Sequence, residues 1–239
     1  MNANASMQQP EAKPEAGRGI LPFLIKSVVG LLITAAILFI PAGRLDWTMG
    51  WVYIGAYLLA QGVTALVVDP ELLAERETRH QDAKKWDMVL LGFWGLASAL
   101  APMVIAGLNV RFGWLPRMSL ALQICGLLLF LLGWAITIWA MTSNLFFSKV
   151  VRIQRDRGHS VATGGPYRYV RHPGYVGAIA QSLATPLILG SAWALIPGVL
   201  GMLLLIVRTV LEDKTLHEEL DGYKEYAGRV PYRLLPGIW

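Results

Sequence analysis

Long apolar runs constrain the fold of this chain more than any other feature of its sequence. They lie at residues 21–40, 47–68, 88–108, 119–141 and 174–211. An α-helix rises about 1.5 Å per residue and the bilayer core is about 30 Å thick, so about twenty apolar residues cross it as a helix. Because a bilayer core offers no water to backbone groups, helix is favoured for every run. We therefore expect an all-α integral membrane protein.

The last run, residues 174–211, is too long for one crossing. Pro186 and Gly190 interrupt it, and proline and glycine break or end helices. We predict two helices, at about 174–189 and 193–211, that form a helical hairpin. This brings the expected number of transmembrane helices to six.

Three parts follow from this interpretation. Residues 1–19 are polar and predicted to be a disordered tail, and residues 20–141 hold four transmembrane helices. Residues 142–239 hold a polar interval, the hairpin and a C-terminal segment. The charged stretch 69–87 could form a short surface helix, but a solvated connector is the favoured prediction. Pro102 could kink the third helix.

Composition and charge support the membrane assignment. Only 15% of the residues are charged, against about 25% in soluble domains, and the net charge is +5. Seventeen Lys and Arg residues lie in the tail, in the stretches 69–87 and 142–173, and from Arg208 onward, whereas three lie in the other connections. Because cytoplasmic loops collect positive charge, we expect both termini in the cytoplasm and no nucleic-acid partner.

Charged residues at the ends of the last two helices are candidates for function. Arg208 and Glu212 are four residues apart and share a helix face, whereas Asp213 points about 140° away from Arg208. An interfacial ion pair and a functional site are both open interpretations of Arg208 and Glu212. His172 precedes Pro173 and is predicted to lie at a helix start. The spacing of the histidines, with no thiolate partners, predicts no metal site.

Two ordered groups of motifs near the C-terminus resemble those of a known family. In order, they are Gln154, His159–Ala162, Thr163–Tyr167, Arg171–Tyr175, then Arg208-x3-Glu212-Asp213, Gly222-Tyr223-x2-Tyr226 and Pro231. Over about residues 140–239 this pattern resembles the isoprenylcysteine carboxyl methyltransferase family and, more loosely, the phospholipid N-methyltransferases. The family's Glu-Glu pair is replaced here by Glu212-Asp213.

The resemblance implies a membrane methyltransferase that uses S-adenosylmethionine in a pocket at the cytosolic face. Arg208 would face the methyl acceptor, and Arg208 and Glu212 are the candidate catalytic residues. The positions that the resemblance assigns to the cofactor are Gln154, His159, Ser160, Val161, Ala162, Tyr167, His172, Pro173, Gly174, Tyr175 and Glu212.

The favoured reaction is O-methylation of a carboxylate on a lipid-linked, isoprenylcysteine-like acceptor, with membrane lipids as further partners. A carboxylate is already anionic and needs no general base, and Arg208 could hold it with two hydrogen bonds. Methylation of a phospholipid or small amine is an alternative. A sterol-reductase-like enzyme and a non-catalytic membrane protein are further alternatives, although the apolar spans offer few polar residues for a permeation path.

Overall fold

The computed structural model describes residues 17–77, 82–116 and 118–239. The disordered tail predicted for residues 1–19 lies mostly outside these residues, and residues 17–19 begin the first helix. The α-helices are α1 (Gly17–Ala42), α2 (Thr48–Val67), α3 (Pro70–Glu77), α4 (Lys85–Gly95), α5 (Ala101–Phe112), α6 (Leu120–Thr142), α7 (Pro173–Ile188), α8 (Leu195–Glu219) and α9 (Tyr223–Arg229). No strand occurs among the described residues, which confirms the all-α prediction.

Five helical segments are long and apolar enough to cross a membrane. They are Pro22–Ala42, Thr48–Val67, Lys85–Phe112, Leu120–Thr142 and Leu195–Glu219. The sixth predicted crossing, α7, has 16 residues and a length of about 24 Å, which is less than a bilayer core. It pairs with α8 as the predicted hairpin, and large apolar side chains cover the outer faces of the bundle. The chain is a multi-pass membrane protein.

The third crossing is irregular where Pro102 predicts a kink. A π-helical turn, Leu96–Leu100, joins α4 to α5. Proline has no N–H to donate to the carbonyl four residues earlier, which loosens the preceding turn. Ser98 in this turn accepts a hydrogen bond from Ser182 Oγ of α7 at 3.1 Å. The irregular turn therefore lies against the hairpin.

Glycines let α6 and α7 pack at close range. A Cβ atom on Gly133 would lie 2.8 Å from the Gly177 carbonyl oxygen, and one on Gly126 would lie 2.7 Å from the Ile188 nitrogen. Small residues at such crossings are typical of membrane helix pairs, where close backbone contact replaces hydrophobic burial as the driving force. This tight pair fixes the start of α7, where several candidate site residues lie.

The stretch 69–87 differs from the favoured prediction of a solvated connector. Its first half is α3, which starts at Pro70, and Asp69 Oδ1 accepts a hydrogen bond from the Glu71 N–H at 2.7 Å. Leu72 and Leu73 are buried in a cluster with Phe23 of α1. The helix has only eight residues, about two turns, so the sequence pattern was too short to indicate this amphipathic helix.

Candidate functional site

A cavity of about 700 Å³ runs between the helices and the polar interval 143–172. One end is lined by that interval, by the last turns of α8 and by α9. The other end lies at membrane depth, among Ser27, Tyr57, Gln61, Trp94 and Trp134. Cavities of 300–1,000 Å³ with apolar walls and a few convergent polar groups are typical ligand sites. Here none of the residues named at the second end is charged.

The polar interval is held in place by Gln154, which is only 1% exposed. Its amide nitrogen donates to the Phe146 carbonyl at 2.7 Å, and its amide oxygen accepts from Arg157 at 2.7 Å. A short 3-10 turn follows and ends at Gly158, whose φ of 65° suits glycine. Gln154 is not among the residues that line the cavity, so in this structure it supports the loop.

The loop presents His159 to the cavity as a neutral ring. Burial, helped by the charges of Arg152 and Arg157, lowers the pKa of His159 to about 4. The backbone N–H of Gln154 donates to His159 Nδ1 at 3.3 Å, which places the proton of the neutral ring on Nε2. The ring also packs against Phe146, with centroids 4.7 Å apart. His159 is therefore a fixed donor at neutral pH.

Acidification should weaken the fold through His159. Its folded pKa of about 4 lies below the ordinary value of 6.5, so the unfolded chain binds the extra proton first. The contribution of neutral His159 to the free energy of unfolding is complete above pH 6.5 and is lost as the pH falls towards 4. We expect wild type to lose thermal stability faster than His159→Gln over that window, with a constant difference between them above pH 6.5. Parallel melting curves down to pH 4 would contradict the assignment.

Arg208 is paired with Asp87, not with Glu212. Its Nε donates to Asp87 Oδ1 at 2.6 Å, and one terminal nitrogen donates to Asp87 Oδ2 at 3.0 Å and to the Lys149 carbonyl at 2.9 Å. Asp87 is completely buried and also accepts from the Val151 N–H. The interpretation of Arg208 and Glu212 as an ion pair is wrong. The guanidinium lies over the Tyr175 ring, 5.1 Å from its centroid.

Glu212 lines the cavity and forms no ion pair with any described residue. Its carboxylate accepts a short hydrogen bond from the Tyr175 hydroxyl. Tyr175 is held in turn by the ring of His172, which is nearly parallel to it with centroids 5.8 Å apart. Glu212 therefore has no cation within ion-pair distance among the described residues.

Asp213 organises the polar end from the other face of α8. Arg171 makes two hydrogen bonds to it, at 2.8 and 3.0 Å, and Tyr223 and Arg233 make one each at 2.8 Å. His172 Nε2 lies 3.1 Å from Asp213 Oδ1. Asp213 points away from Arg208, as the helical spacing predicts, but the sequence analysis gave it no role. Three of its partners, Arg171, His172 and Tyr223, lie in the motifs of the sequence analysis, and that clustering was the available signal.

The start of α7 is shaped by Gly174. A Cβ atom on Gly174 would lie 2.6 Å from the Phe147 ring. The backbone N–H groups of Arg171 and His172 donate to the Tyr232 and Arg233 carbonyls. Pro173 follows as the first residue of the helix, is buried, and is not among the lining residues. The C-terminal segment thus closes this end of the cavity.

Apart from Gln154 and Pro173, all residues proposed from the sequence line one cavity. These are His159, Ser160, Val161, Ala162, Tyr167, His172, Gly174, Tyr175, Arg208 and Glu212. The lining residues that the sequence analysis did not assign to the site include Arg76, Asn144, Phe146, Leu216, Tyr223 and Tyr226. Asn144 donates to the Tyr167 hydroxyl, and burial raises the pKa of Tyr167, so this hydroxyl stays protonated.

The fold and the cavity define a multi-pass membrane protein whose internal site joins a charged end to an end at membrane depth. Residues 126–218 match the model of the isoprenylcysteine carboxyl methyltransferase family.

Several relatives of this chain carry the name protein-S-isoprenylcysteine O-methyltransferase. Protein-S-isoprenylcysteine O-methyltransferase of Homo sapiens is 33% identical over 123 residues, which are 46% of this chain and 40% of the human protein. The Schizosaccharomyces pombe enzyme of that name is 30% identical over 92 residues, 36% of this chain and 37% of its own length. The Xenopus laevis enzyme of that name is 28% identical over 113 residues, 46% of this chain and 39% of its own length. The chain thus spans about two fifths of these relatives.

Proposed function

We propose that this protein is a membrane methyltransferase that transfers a methyl group from S-adenosylmethionine to the carboxylate of a lipid-linked, isoprenylcysteine-like acceptor. The observation that carries the proposal is the cavity, because it joins a charged, loop-lined end to an end at membrane depth that is lined by uncharged side chains such as Tyr57, Trp94 and Trp134. A polar donor and a lipid chain could occupy the two ends together. The names of the relatives support the same reaction.

The polar end fits S-adenosylmethionine by the chemistry of its side chains. When bound, this cofactor supplies a methyl group that is attached to a positively charged sulfur. After the transfer, the sulfur leaves as part of a neutral thioether. Glu212 has no cationic partner among the described residues and can balance that charge. His159 offers an Nε2 donor from a neutral ring, and Tyr223 and Tyr226 add aromatic walls. The cavity volume is in the range of sites for ligands of this size.

The roles we propose follow from these positions. His159–Ala162, Tyr167, His172, Gly174 and Tyr175 line the donor end, and Glu212 stabilises its positive charge. Gln154 and Pro173 support the loop and the start of α7 without facing the cavity. Most of the rate enhancement would come from alignment of donor and acceptor, which can supply about 7–11 kcal/mol of a barrier.

We propose that Arg208 contacts the acceptor through one terminal nitrogen, whereas the sequence analysis predicted two hydrogen bonds to the carboxylate. Because Asp87 occupies its Nε edge and the Lys149 carbonyl takes a further donor, we propose that its remaining terminal nitrogen faces the acceptor. A carboxylate held there would itself be the nucleophile towards the methyl group and would need no base. We further propose that this end of the cavity, with both termini, faces the cytoplasm, because positive loop charges collect on that side.

Methyl transfer can be measured directly with tritiated S-adenosylmethionine and the detergent-purified protein. With S-farnesyl-N-acetylcysteine as acceptor, we expect a labelled methyl ester that alkali releases as methanol. Phosphatidylethanolamine should stay unlabelled, because four arginines, Arg76, Arg152, Arg171 and Arg208, line the cavity and disfavour a cationic head group. Alkali-stable label on the lipid amine, or no transfer to either acceptor, would overturn the proposed reaction.

A further inference from the structure

Nearly every charge on the cavity wall has an opposite partner. Arg208 pairs with Asp87, and Arg171 pairs with Asp213. The remaining pairs are Arg152 with Glu75, Asp82 and Asp156, and Lys26 and Lys149 with Glu77. Within the described residues, two charged side chains on this wall form no ion pair: Glu212, proposed above to face the donor, and Arg76. The cavity therefore presents one anion and one cation to its contents.

Arg76 lies in the last turn of α3 and is half-buried. Among the described residues, its side chain makes one hydrogen bond, a weak one from a terminal nitrogen to the Phe147 carbonyl at 3.4 Å. Burial lowers the pKa of Arg76 to about 10. The charge of Arg208 also lowers this pKa, whereas Glu77 and Tyr167 raise it. The group is still a cation at neutral pH. A half-buried cation without an anion is unfavourable, and an anionic ligand would relieve that cost.

Phe147 places this cation beside the proposed reaction centre. The Arg76 guanidinium lies over the Phe147 ring, 4.9 Å from its centroid. The same ring packs against Gly174 in the first turn of α7, where a Cβ atom would come within 2.6 Å. Tyr175 follows Gly174 and donates to Glu212. One aromatic ring thus links the unpaired cation to the turn that positions the unpaired anion.

We propose that Arg76 binds the carboxylate of the methyl acceptor and makes the cavity select anionic over neutral or cationic acceptors. This rests on the proposed function, which it deepens by naming the group that recognises the acceptor. Arg208 is committed to Asp87 through its Nε edge, whereas Arg76 has nearly all its donors available. The helix that carries Arg76 packs on α1, so the acceptor would contact the N-terminal helices as well as the C-terminal core.

The test compares Arg76→Gln with wild type in calorimetric titrations of the full-length protein in detergent. The two probes are S-farnesyl-N-acetylcysteine and its carboxamide, which differ only in the charge of the group to be recognised. Hydrogen bonds between charged groups contribute enough to change affinity about tenfold to a hundredfold. We expect wild type to prefer the carboxylate by about that factor. Arg76→Gln should lose most of this preference, with the remainder supplied by the terminal nitrogen of Arg208, while it keeps the affinity for the amide and for S-adenosylhomocysteine.

Arg111→Gln is the matched control. Arg111 also lies in the last turn of a helix and over a phenylalanine ring, 5.7 Å from the Phe112 centroid, but it does not line the cavity. It should keep the wild-type preference. Arg76→Lys retains the positive charge and should keep part of the preference for the carboxylate. It tests the role of the charge even if Arg76→Gln fails to fold.

The outcomes separate this inference from the proposed function. Wild type with no preference for the carboxylate, or Arg76→Gln weakened equally towards both probes, would overturn the role of Arg76 and leave methyl transfer standing. A carboxylate preference that Arg76→Gln removes, in a protein that binds no S-adenosylhomocysteine, would support the anion site and contradict the methyltransferase.

Discussion

Asp213→Asn should destabilise the protein by about 3–5 kcal/mol, the typical cost of removing one partner of a buried charge pair. The substitution keeps the volume of the side chain but leaves Arg171 buried without its countercharge and Arg233 without its partner. The contacts of His172 and Tyr223 would weaken with it. Thermal unfolding of the purified protein measures this directly, and binding of S-adenosylhomocysteine should fall as the start of α7 loosens.

Asp221→Asn is the control for this prediction. Asp221 lies just beyond α8 and is exposed, so its substitution should change the free energy of unfolding by less than about 0.5 kcal/mol. Equal melting temperatures for Asp213→Asn and Asp221→Asn would show that the hydrogen bonds around Asp213 do not hold the C-terminal segment.

Substitution of either member of the Arg208–Asp87 pair should have the second large effect. Asp87 is fully buried, so Arg208→Gln leaves a buried carboxylate without its cation. Asp87→Asn leaves the buried Arg208 guanidinium without its anion. We expect each single variant to lose about 3–5 kcal/mol of stability and at least about a hundredfold in turnover, since small misplacements in an active site can cost that much.

The double variant Asp87→Asn/Arg208→Gln separates the two roles of Arg208. Two neutral amides of similar size remove the buried charges together, so a large part of the stability should return. Turnover should stay low, because the terminal nitrogen proposed to face the acceptor has lost its charge. Recovery of turnover together with stability would show that Arg208 only joins α8 to α4 and has no part in binding the acceptor.

Local pattern was enough to predict the helices and the segments that surround the cavity. Hydropathy located the five segments that are long enough to cross a membrane and also α7, which is shorter than the predicted sixth crossing. Pro186 with Gly190 indicated the turn between α7 and α8. The helical spacing of Arg208 and Asp213 correctly placed them on different faces. Residues in the resemblance motifs converge on the cavity because the hairpin returns the end of α8 to the start of α7.

Contacts between distant residues were not predictable from one sequence. Asp87 meets Arg208 across 121 positions, and Arg171 meets Asp213 across 42. Nothing in the spacing of a carboxylate at one helix start indicates which cation it meets. The helix α3 was missed for a different reason, because eight residues provide too few turns for a clear periodic pattern. Arg76 was overlooked with it.

The central claim is that the charged end of the cavity is a site for the methyl donor. Calorimetric titration of wild type and Glu212→Gln with S-adenosylhomocysteine and S-adenosylmethionine tests it most directly. Wild type should bind both at one site per chain, and Glu212→Gln should weaken the positively charged S-adenosylmethionine at least about tenfold more than the neutral thioether. Absence of saturable binding to folded wild type, or an equal loss for both ligands, would contradict the account of this site.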